Sequence, residues 1–355
     1  MTTQTVYSLS ICGRVILDMH SLNNEGGEGN QTMTRMVTIV HKSNGKPKLT
    51  SVNAISGDMF KHIQAEHLYH LAKGNMPLCA GCERFSGSRI LDDAEFMAEV
   101  ATKRTGKSWK YDDAQVIDAM LKKCAIDDME GILLAQERGK TQASEEEEAE
   151  DDGGKGKKGR KKGRPVPRKS VAEFGWVVGI PEDSEGQQLT KTESYFHVRY
   201  ASDLGGEDAD QPIFHRPANS GVYAVGANFE MARIGYNDKS QKYALSPEER
   251  IPRYKAFLES ILYTFVEPNG AMRGTQNPHI LGFEGVATVS AQVVPAPMLS
   301  ALDDGYREEV KRVAAALNAI HANAVTVHEF DSMGAFAEVM QKLIAESVPF
   351  TMKVA

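Results

Sequence analysis

Apolar and polar side chains alternate from residue 7 to residue 18, which predicts a strand with one buried face and one polar face. The apolar positions of this strand are Tyr7, Leu9, Ile11, Val15 and Leu17. The runs 35–42 and 49–55 have the composition of two further strands. The triplet Ser56-Gly57-Asp58 then opens a helix, in which apolar residues recur at helical spacing: Phe60, Ile63 and Leu71.

The rest of the chain predicts a helical region, then strands, then helices and strands in alternation. Residues 92–137 are predicted to be helical, 174–180 and 195–200 to be paired strands around a polar loop, and 221–234 to contain more strand. Three predicted helices each lead into a strand: 247–265 into 285–294, 306–322 into 324–330, and 333–345 into 348–354. This order predicts an α/β (α+β) sandwich with helices on one sheet face and the other face free to bind.

Residues 140–170 form the clearest boundary in composition. Residues 145–152 carry seven acids and residues 155–169 carry nine bases, with almost nothing apolar between them. Such a segment buries too little surface to offset its ordering entropy, so we predict a disordered insertion. It is either a solvated tether or a basic arm that touches nucleic acid. A flexible chain spreads the two runs roughly 20 Å apart, beyond the roughly 8 Å Debye length, so the basic half is able to act alone.

The overall composition of the 355 residues is that of an ordinary globular protein, with 41% hydrophobic and 25% charged residues. An apolar run of the roughly 18 residues that cross a membrane is lacking, and the first twenty residues do not have the pattern of a secretion signal. The four cysteines are too few for a disulfide framework. We therefore expect a cytoplasmic protein without a membrane partner.

Motifs of catalysis are weak in this sequence. The glycine-rich stretch 25–30 has neither the glycine register nor the Lys-Ser/Thr pair of a phosphate loop, and its glutamates repel phosphate. It is better interpreted as a flexible strand connection beside four amide side chains: Asn23, Asn24, Asn30 and Gln31. Pairs of aspartates lie where helices begin and are interpreted as helix caps. The residues thus give no positive sign of an enzyme.

A possible structural zinc site is the one suggestive metal motif. His67 and His70 share a helix face, and Cys79 and Cys82 form a knuckle, so the four offer a tetrahedral set of ligands. The alternative is two surface histidines and two reduced thiols. A catalytic zinc of the deaminase type is disfavoured, because the glutamate and the proline of that motif stand at the wrong positions.

The predicted helix start at residues 56–62 is a candidate phosphate site. Free backbone amides, the partial positive charge of a helix start and the side chains of Lys61 and His62 suit an anion. Asp58 argues against it, and Ser56 as a plain N-cap is the alternative.

Four separated blocks of sequence together resemble one family. They are 14–39 (RVILDMHSLNNEGGEGNQTMTRMVTI), 54–67 (AISGDMFKHIQAEH), 78–82 (LCAGC) and 214–223 (FHRPANSGVY). In this order they resemble the DevR-type backbone subunit of type I CRISPR Cascade, in the seventh Cas protein family. The resemblance covers most of the chain outside 140–170.

The resemblance implies a modified ferredoxin-like, RRM-related palm with a helical finger and a β-hairpin thumb. On this chain the palm is 1–72 and 218–355, the finger is 73–139 and the thumb is 171–217. The family implies a non-catalytic subunit that polymerises with copies of itself along the CRISPR guide RNA (crRNA). It grips and kinks the RNA backbone, leaves bases free to pair with target DNA, and assembles with other Cascade subunits.

A subunit that holds any guide sequence should contact phosphates and 2′-hydroxyls rather than base edges. Besides the residues named above, the candidates for such contacts lie on the polar face of the first strand, in loops and near the thumb: Arg14, Arg35, Arg216, Asn219, Ser220, Arg233, Arg273 and Gln276. Met272 and Phe214 are candidates for a wedge between bases. The net charge of −7 then requires the RNA-contacting bases to be concentrated in one groove. The alternatives are a metal-dependent RNA-processing endonuclease on a related fold and a transcriptional autoregulator.

Overall fold

The computed structural model describes residues 4–43, 45–100, 111–134, 165–198 and 213–353. These residues form a mixed α/β protein with eight α-helices and an eleven-stranded sheet, which confirms the predicted class. The chain divides into two compact units. The sheet unit comprises Met1–Leu71, Ala172–Ala232 and Tyr254–Lys353, and the helical unit comprises Ala72–Val171, Arg233–Arg253 and Val354–Ala355.

In chain order, the strands are β1 (Gln4–Val6), β2 (Ser8–His20), β3 (Asn24–Glu28), β4 (Gln31–Thr34), β5 (Met36–Ser43), β6 (Lys46–Ile55), β7 (Ile132–Leu134), β8 (Val166–Arg168), β9 (Ala172–Phe174), β10 (Val177–Gly179), β11 (Thr190–Val198), β12 (Ile213–Phe229), β13 (Tyr236–Asn237), β14 (Lys242–Tyr243), β15 (His279–Ser290), β16 (Val325–Phe330) and β17 (Ser347–Pro349). The helices are α1 (Gly57–Ala72), α2 (Ala80–Glu83), α3 (Ala94–Val100), α4 (Asp113–Lys123), α5 (Ala125–Glu130), α6 (Pro247–Val266), α7 (Tyr306–Ile320) and α8 (Met333–Glu346).

Strand β2 lies in the middle of the large sheet, whose order is β16-β15-β2-β12-β10-β6-β5. Strands β3, β4, β9 and β11 join this path at its sides. The expected pairing of 174–180 with 195–200 is wrong, because β10 pairs with β6 and β12 while β11 pairs with the first half of β12. The 17 residues of β12 are long enough to serve both partners.

A register shift interrupts the ladder between β12 and β2, at the end of the part of β12 that pairs with β11. It falls between Asn219 and Gly221, where the backbone of Gly221 has a φ of +150°. A Cβ atom on Gly221 would lie 2.3 Å from the carbonyl oxygen of Leu189. Only glycine fits this position, both for its φ and for the close approach of the neighbouring backbone.

An aromatic core fills one face of the sheet. Phe265 of α6 stacks on Phe283 of β15 with ring centroids 4.7 Å apart, and Phe336 of α8 meets Phe283 edge-on at 4.9 Å. Apolar side chains of β2 that alternate along the strand lie on this face, as the pattern predicts.

The opposite face of the sheet is also covered, so the expectation of a free face is wrong. Cys12 on this side of β2 belongs to a buried cluster with Ala301, Tyr306 and Val310, which bring the start of α7 onto the sheet. Ser10 is buried, and its hydroxyl lies within hydrogen-bond distance of two acceptors, Asn228 Oδ1 (2.9 Å) and the carbonyl of Ala296 (3.1 Å). Ser10 is a polar residue that bonds to protein groups, and alternation alone does not distinguish this from exposure to solvent.

A buried ion network organises the helical unit. Asp128 of α5 accepts hydrogen bonds from Arg168 Nη2 (2.8 Å) and Arg253 Nη1 (2.9 Å), and all three side chains are at most 3% exposed. The backbone amide of Gly235 also donates to this carboxylate. Arg168 lies at the end of β8, which pairs with β7.

The domain boundaries differ from the expected ones in two places. Residues 140–164 of the predicted disordered insertion lie outside the described residues. The last residues of the insertion include β8, where the side chain of Arg168 binds a buried carboxylate and is not exposed to solvent. The segment 233–253, expected in the palm, belongs to the helical unit. Within the described residues no helix is long and apolar enough to span a bilayer.

Candidate functional site

A buried hydrogen-bond network centred on Asn219 joins the strands of the sheet unit. Its Nδ2 donates to the carbonyl of His20 (3.1 Å) and to Thr34 Oγ1 (3.0 Å), and its Oδ1 accepts from Thr192 Oγ1 (2.8 Å). Thr34 Oγ1 also accepts from Asn53 Nδ2 at 3.0 Å. Because Asn219 is 1% exposed, its amide is fully used inside the protein and holds β2, β4, β11 and β12 together.

The β3–β4 hairpin is fixed against the start of β12. Asn30 Nδ2 donates to the carbonyl of Ile213 (3.0 Å), and the carbonyl of Asn30 accepts from the amide of His215 (2.9 Å). Gln31 pairs with His215 in the only parallel bridge between β4 and β12. Asn24, at the base of the hairpin, accepts a hydrogen bond from Ser21 Oγ at 2.9 Å.

The segment 271–276 is fixed beside the same strand. Gln276 Nε2 donates to the carbonyl of Pro217 (2.9 Å), and Arg216 Nη1 donates to Thr275 Oγ1 (3.4 Å). Met272 has a φ of +56°, and its sulfur accepts from Ser21 Oγ at 3.8 Å. Arg273 forms an ion pair with Glu267.

These contacts bring three of the predicted segments together in the sheet unit. We call the resulting region the loop surface: the β3–β4 hairpin, residues 213–220 of β12, and the segment 271–276. The loop surface contains most of the predicted RNA-binding residues: Asn24, Asn30, Gln31, Phe214, Arg216, Asn219, Ser220, Met272, Arg273 and Gln276. Within it, Ser220 Oγ accepts from the amide of Met19 at 3.1 Å.

Exposed aromatic rings lie on the hairpin formed by β11 and β12. Phe196 is 70% exposed and its ring centroid is 4.4 Å from that of His215, its cross-strand partner. Tyr195, 41% exposed, is paired with Arg216. Of these hairpin aromatic residues only Phe214 is among the predicted contacts; Phe196, Tyr195 and His215 are not. The signal that could have found them is a pair of short aromatic runs, 195–197 and 214–215.

The start of α1 is closed by protein groups. Asn23 Oδ1 accepts from the amide of Ser56 (2.7 Å), and Ser56 Oγ accepts from the amide of Met59 (3.2 Å). A Cβ on Gly57 would lie 2.3 Å from the carbonyl oxygen of Phe174, so the backbone of another strand packs on this helix start. The structure therefore gives Asn23 and Ser56 the capping role, and Lys61 and His62 lie in the first turns of the capped helix.

Besides Arg273, three predicted arginines are held by ion pairs. Arg14 lies in β2 and binds Asp304 Oδ1 (2.6 Å) and the carbonyl of Ala301 (2.9 Å). Arg35 lies between β4 and β5, 3.4 Å from Glu25 Oε1, and its guanidinium is above the ring of Trp176. Arg233 lies in the helical unit, where it binds Asp238 Oδ2 at 2.6 Å.

A metal-type cluster lies in the helical unit, with a membership that differs from the predicted set. Cys79 and Cys82 are joined by Cys124 and Asp127, and the four ligand atoms lie within 4.8 Å of one another. His67 and His70 do not belong to it. Both are on α1 in the sheet unit, where His67 Nε2 is 2.8 Å from the carbonyl of Glu267. Sequence proximity favoured the histidines, but the fold brings Cys124 to the knuckle from much further along the chain.

The thiols of this cluster are connected by hydrogen bonds. The side chains of Cys124 and Cys82 donate to Cys79, which lowers the pKa of the Cys79 thiol to about 5. Asp127 Oδ2 lies 3.3 Å from Cys79 Sγ and 3.7 Å from Cys82 Sγ, and burial raises the pKa of this carboxyl well above its usual range. Within the described residues this is the one group of ligands suited to a metal.

The fold belongs to the class of mixed α/β proteins. It has a large antiparallel sheet with long loops and a hairpin, and a helical unit. The model of the family described as CRISPR-associated negative auto-regulator DevR/Csa2 matches residues 11–311. The chain belongs to this family.

Two solved structures are similar to this chain at low identity. One, described as a CRISPR RNA-guided surveillance complex, pre-nicking, has a TM-score of 0.45 and 10% identity, with 98% of this chain and 96% of that chain covered. The other, described as a CRISPR RNA-guided surveillance complex, has a TM-score of 0.43 and 12% identity, with 95% of this chain and 98% of that chain covered. No curated protein matches the sequence.

Proposed function

We propose that the chain is a non-catalytic Cascade backbone subunit that binds crRNA and polymerises along it, leaving bases exposed for target DNA. The observation that carries this proposal is the loop surface, where amide and guanidinium groups from three segments converge beside exposed aromatic rings in a member of a CRISPR-associated family. Donors of this kind suit phosphates and 2′-hydroxyls, and aromatic rings suit stacking on any base.

The strand order supports a palm of the RRM-related kind. Strands β10, β12, β2 and β15 are neighbours in that order, with α1 between β2 and β10 in sequence and α6 between β12 and β15. A β-α-β-β-α-β sequence of elements is typical of ferredoxin-like folds. The β11–β12 hairpin then corresponds to the thumb, and the helical unit to the finger.

The proposed interface consists of the loop surface and the hairpin aromatic residues. Four arginines are not counted among its phosphate contacts, because carboxylates of the protein already bind them: Arg14, Arg35, Arg233 and Arg273. Asn23, Ser56 and Asn219 act by positioning its segments, since their polar groups are buried and used within the fold.

The β5–β6 hairpin is the proposed contact between copies of the chain. Val40 and Leu49 are cross-strand partners and are 59% and 70% exposed, which makes an apolar pair on the outermost strands of the sheet. The variant Val40→Asp with Leu49→Lys should abolish long filaments on RNA in electron micrographs. The control Val293→Asp changes an equally exposed apolar residue and should form filaments normally. Filaments in the first variant would place the contact between copies elsewhere.

Binding selectivity tests the proposal as a whole. The full chain should bind guide RNA and a scrambled RNA of the same length with similar affinity, and bind duplex DNA of its own promoter far more weakly. Polarisation of labelled nucleic acids measures this directly. Tighter binding to promoter DNA would instead support the second candidate, a transcriptional autoregulator, which the family's description favours.

Two features of the cysteines support the proposal that the protein is non-catalytic and that it is located in the cytoplasm. The ligand cluster is fully enclosed, whereas a hydrolytic metal needs an open coordination position. All four cysteines are free thiols, which suits the reducing cytoplasm. Incubation of the full chain with guide precursor, with and without a chelator, should give no cleavage in either sample. Chelator-sensitive cleavage would support the endonuclease alternative.

A further inference from the structure

The ligand cluster of the helical unit consists of two half-sites with the same spacing. Cys79 is the N-cap of α2 and Cys82 is the third residue of that helix; Cys124 is the N-cap of α5 and Asp127 is its third residue. The two segments are joined by a hydrogen bond of 2.9 Å from the amide of Ala125 to the carbonyl of Pro77. Two short helices therefore begin side by side and direct their first ligand pairs to one point.

The separation of the ligand atoms suits a tetrahedral metal. The four atoms lie within 4.8 Å of one another. A zinc ion with bonds of about 2.3 Å to sulfur holds its sulfur ligands about 3.8 Å apart, so closure needs small side-chain movements. The knuckle is rigid, because Cys82 donates its amide to Cys79 Sγ (3.3 Å) and a Cβ on Gly81 would lie 1.8 Å from the carbonyl oxygen of Arg89.

The cluster also has an unsatisfied polar atom. Asp127 is fully buried, and its Oδ1 has no hydrogen-bond partner among the described residues, while Oδ2 lies within 3.7 Å of the sulfur atoms of Cys79 and Cys82. A buried carboxylate oxygen without a partner costs free energy that a bound cation would recover. Three thiols and a carboxylate are ligands that favour zinc over magnesium or calcium.

We propose that Cys79, Cys82, Cys124 and Asp127 bind one Zn²⁺ ion that fastens the start of α2 to the start of α5. The site is structural, since four protein ligands complete the tetrahedron and all are at most 2% exposed. The metal replaces protons on the thiols, and no oxidation or reduction is involved.

Metal analysis of the full chain, purified without chelator from zinc-supplemented cells, tests the proposal. The wild type should contain one zinc per chain, and the Cys79→Ser/Cys82→Ser variant less than a tenth of that. Cys124→Ser separates this site from the histidine set and should also lose zinc. His67→Asn/His70→Asn and Cys12→Ser are the controls, because these residues lie in the sheet unit, and both should keep one zinc per chain.

A second measurement tests the proposal on the wild type, so it stays informative even if a variant folds poorly. Cobalt added to the metal-free wild type should give the visible absorption of a tetrahedral ion and the near-ultraviolet absorption of thiolate ligands. Asp127→Asn should keep the thiolate band and weaken cobalt binding at least tenfold. Wild type without zinc and without cobalt absorption would overturn the proposal, as would a disulfide among these cysteines in anaerobically prepared protein. Zinc loss in the histidine variant and in Cys79→Ser/Cys82→Ser, with one zinc per chain kept in Cys124→Ser, would overturn the proposal and assign the metal to the set with His67 and His70.

Discussion

The side-chain oxygen of Asn23 accepts a hydrogen bond of 2.7 Å from the backbone amide of Ser56. This contact ties the end of β2 and its following loop to the start of α1. Both residues have the chemistry of a phosphate ligand, and the fold uses that chemistry internally. A variant of this pair can therefore show whether these residues contribute to RNA affinity or to the stability of the fold.

Replacement of Asn23 by alanine should therefore lower stability and leave the intrinsic RNA affinity of the folded protein within a factor of about two. Loss of one buried hydrogen-bond acceptor leaves the Ser56 amide unpaired, which costs about 1–3 kcal/mol. Urea unfolding measures this change. Gln341→Ala, which removes an exposed amide side chain from α8, is the control and should change stability by less than about 0.5 kcal/mol. A large loss of affinity in Asn23→Ala without a loss of stability would contradict the capping role.

Phe196 should contribute to RNA affinity through stacking. Its ring is 70% exposed and contacts the ring of His215. Stacking of one base on an aromatic ring is worth about 1–3 kcal/mol, so Phe196→Ala should weaken binding about 5–150-fold. Polarisation titrations at one salt concentration measure this. Ile320→Ala, which removes an apolar side chain of similar exposure on α7, should leave the affinity unchanged.

Arg216 should contact a phosphate. Each phosphate contact on single-stranded nucleic acid contributes about −0.7 to the slope of log K against log salt, so Arg216→Gln should make that slope shallower by about 0.7. Titrations at several salt concentrations give the slope. Arg312→Gln removes an arginine with 78% side-chain exposure from α7 and should not change it. An unchanged slope in Arg216→Gln would assign the phosphate contacts to other residues of the loop surface.

Asp128 should be the most sensitive carboxylate of the helical unit. Asp128→Asn removes the carboxylate that binds the buried guanidinium of Arg253 and leaves Arg168 with Asp238 as its remaining ion-pair partner, which costs about 3–5 kcal/mol. Asp304→Asn removes the partner of Arg14 at a site where the carboxylate is 62% exposed, and should cost at most about 1 kcal/mol. Denaturant unfolding compares the two variants. Equal losses of stability in the two variants would mean that the buried ion pairs of Asp128 contribute no more than the exposed ion pair of Asp304.

The buried imidazole of His20 should make the protein less stable in acid. Burial lowers its pKa to about 3, whereas the unfolded chain binds the proton near pH 6.5. Below pH 6.5 the unfolded state therefore binds a proton at His20 that the folded state does not bind. The free energy of unfolding consequently falls with decreasing pH until about pH 3. Between pH 6.5 and 4.5 this amounts to about 2–3 kcal/mol. His20→Asn should lose this part of the pH dependence in unfolding titrations; identical pH profiles would show that His20 is protonated in the folded state.

Local patterns were sufficient for much of the fold. Alternation located β2, and helical spacing located α1, α6, α7 and α8 to within a few residues. These elements bury one stripe or face, so the period of the sequence follows directly from the contact they make. The same patterns do not distinguish Ser10, bonded inside the protein, from a solvent-exposed serine.

The sites depend on contacts between distant residues. Cys124 repeats the C-x-x spacing of Cys79, but only the fold shows that the two segments meet. Arg168 belongs to a basic run in the sequence and to a buried ion network in the structure. In each case the partner lies dozens of residues away, and a single sequence gives no measure of that pairing.

Gly221 and the pairing of β11 with β12 restrict the number of residues by which the hairpin can be lengthened or shortened. Successive side chains of a strand point to opposite faces, so one residue added to each strand beyond Gly221 would turn Phe196 and His215 to the other side. Two residues added to each strand would keep the face and move the rings outward by about 7 Å. Relatives with a longer or shorter hairpin should therefore differ in steps of two residues per strand, and the spacing of contacts along a bound strand should change with each step.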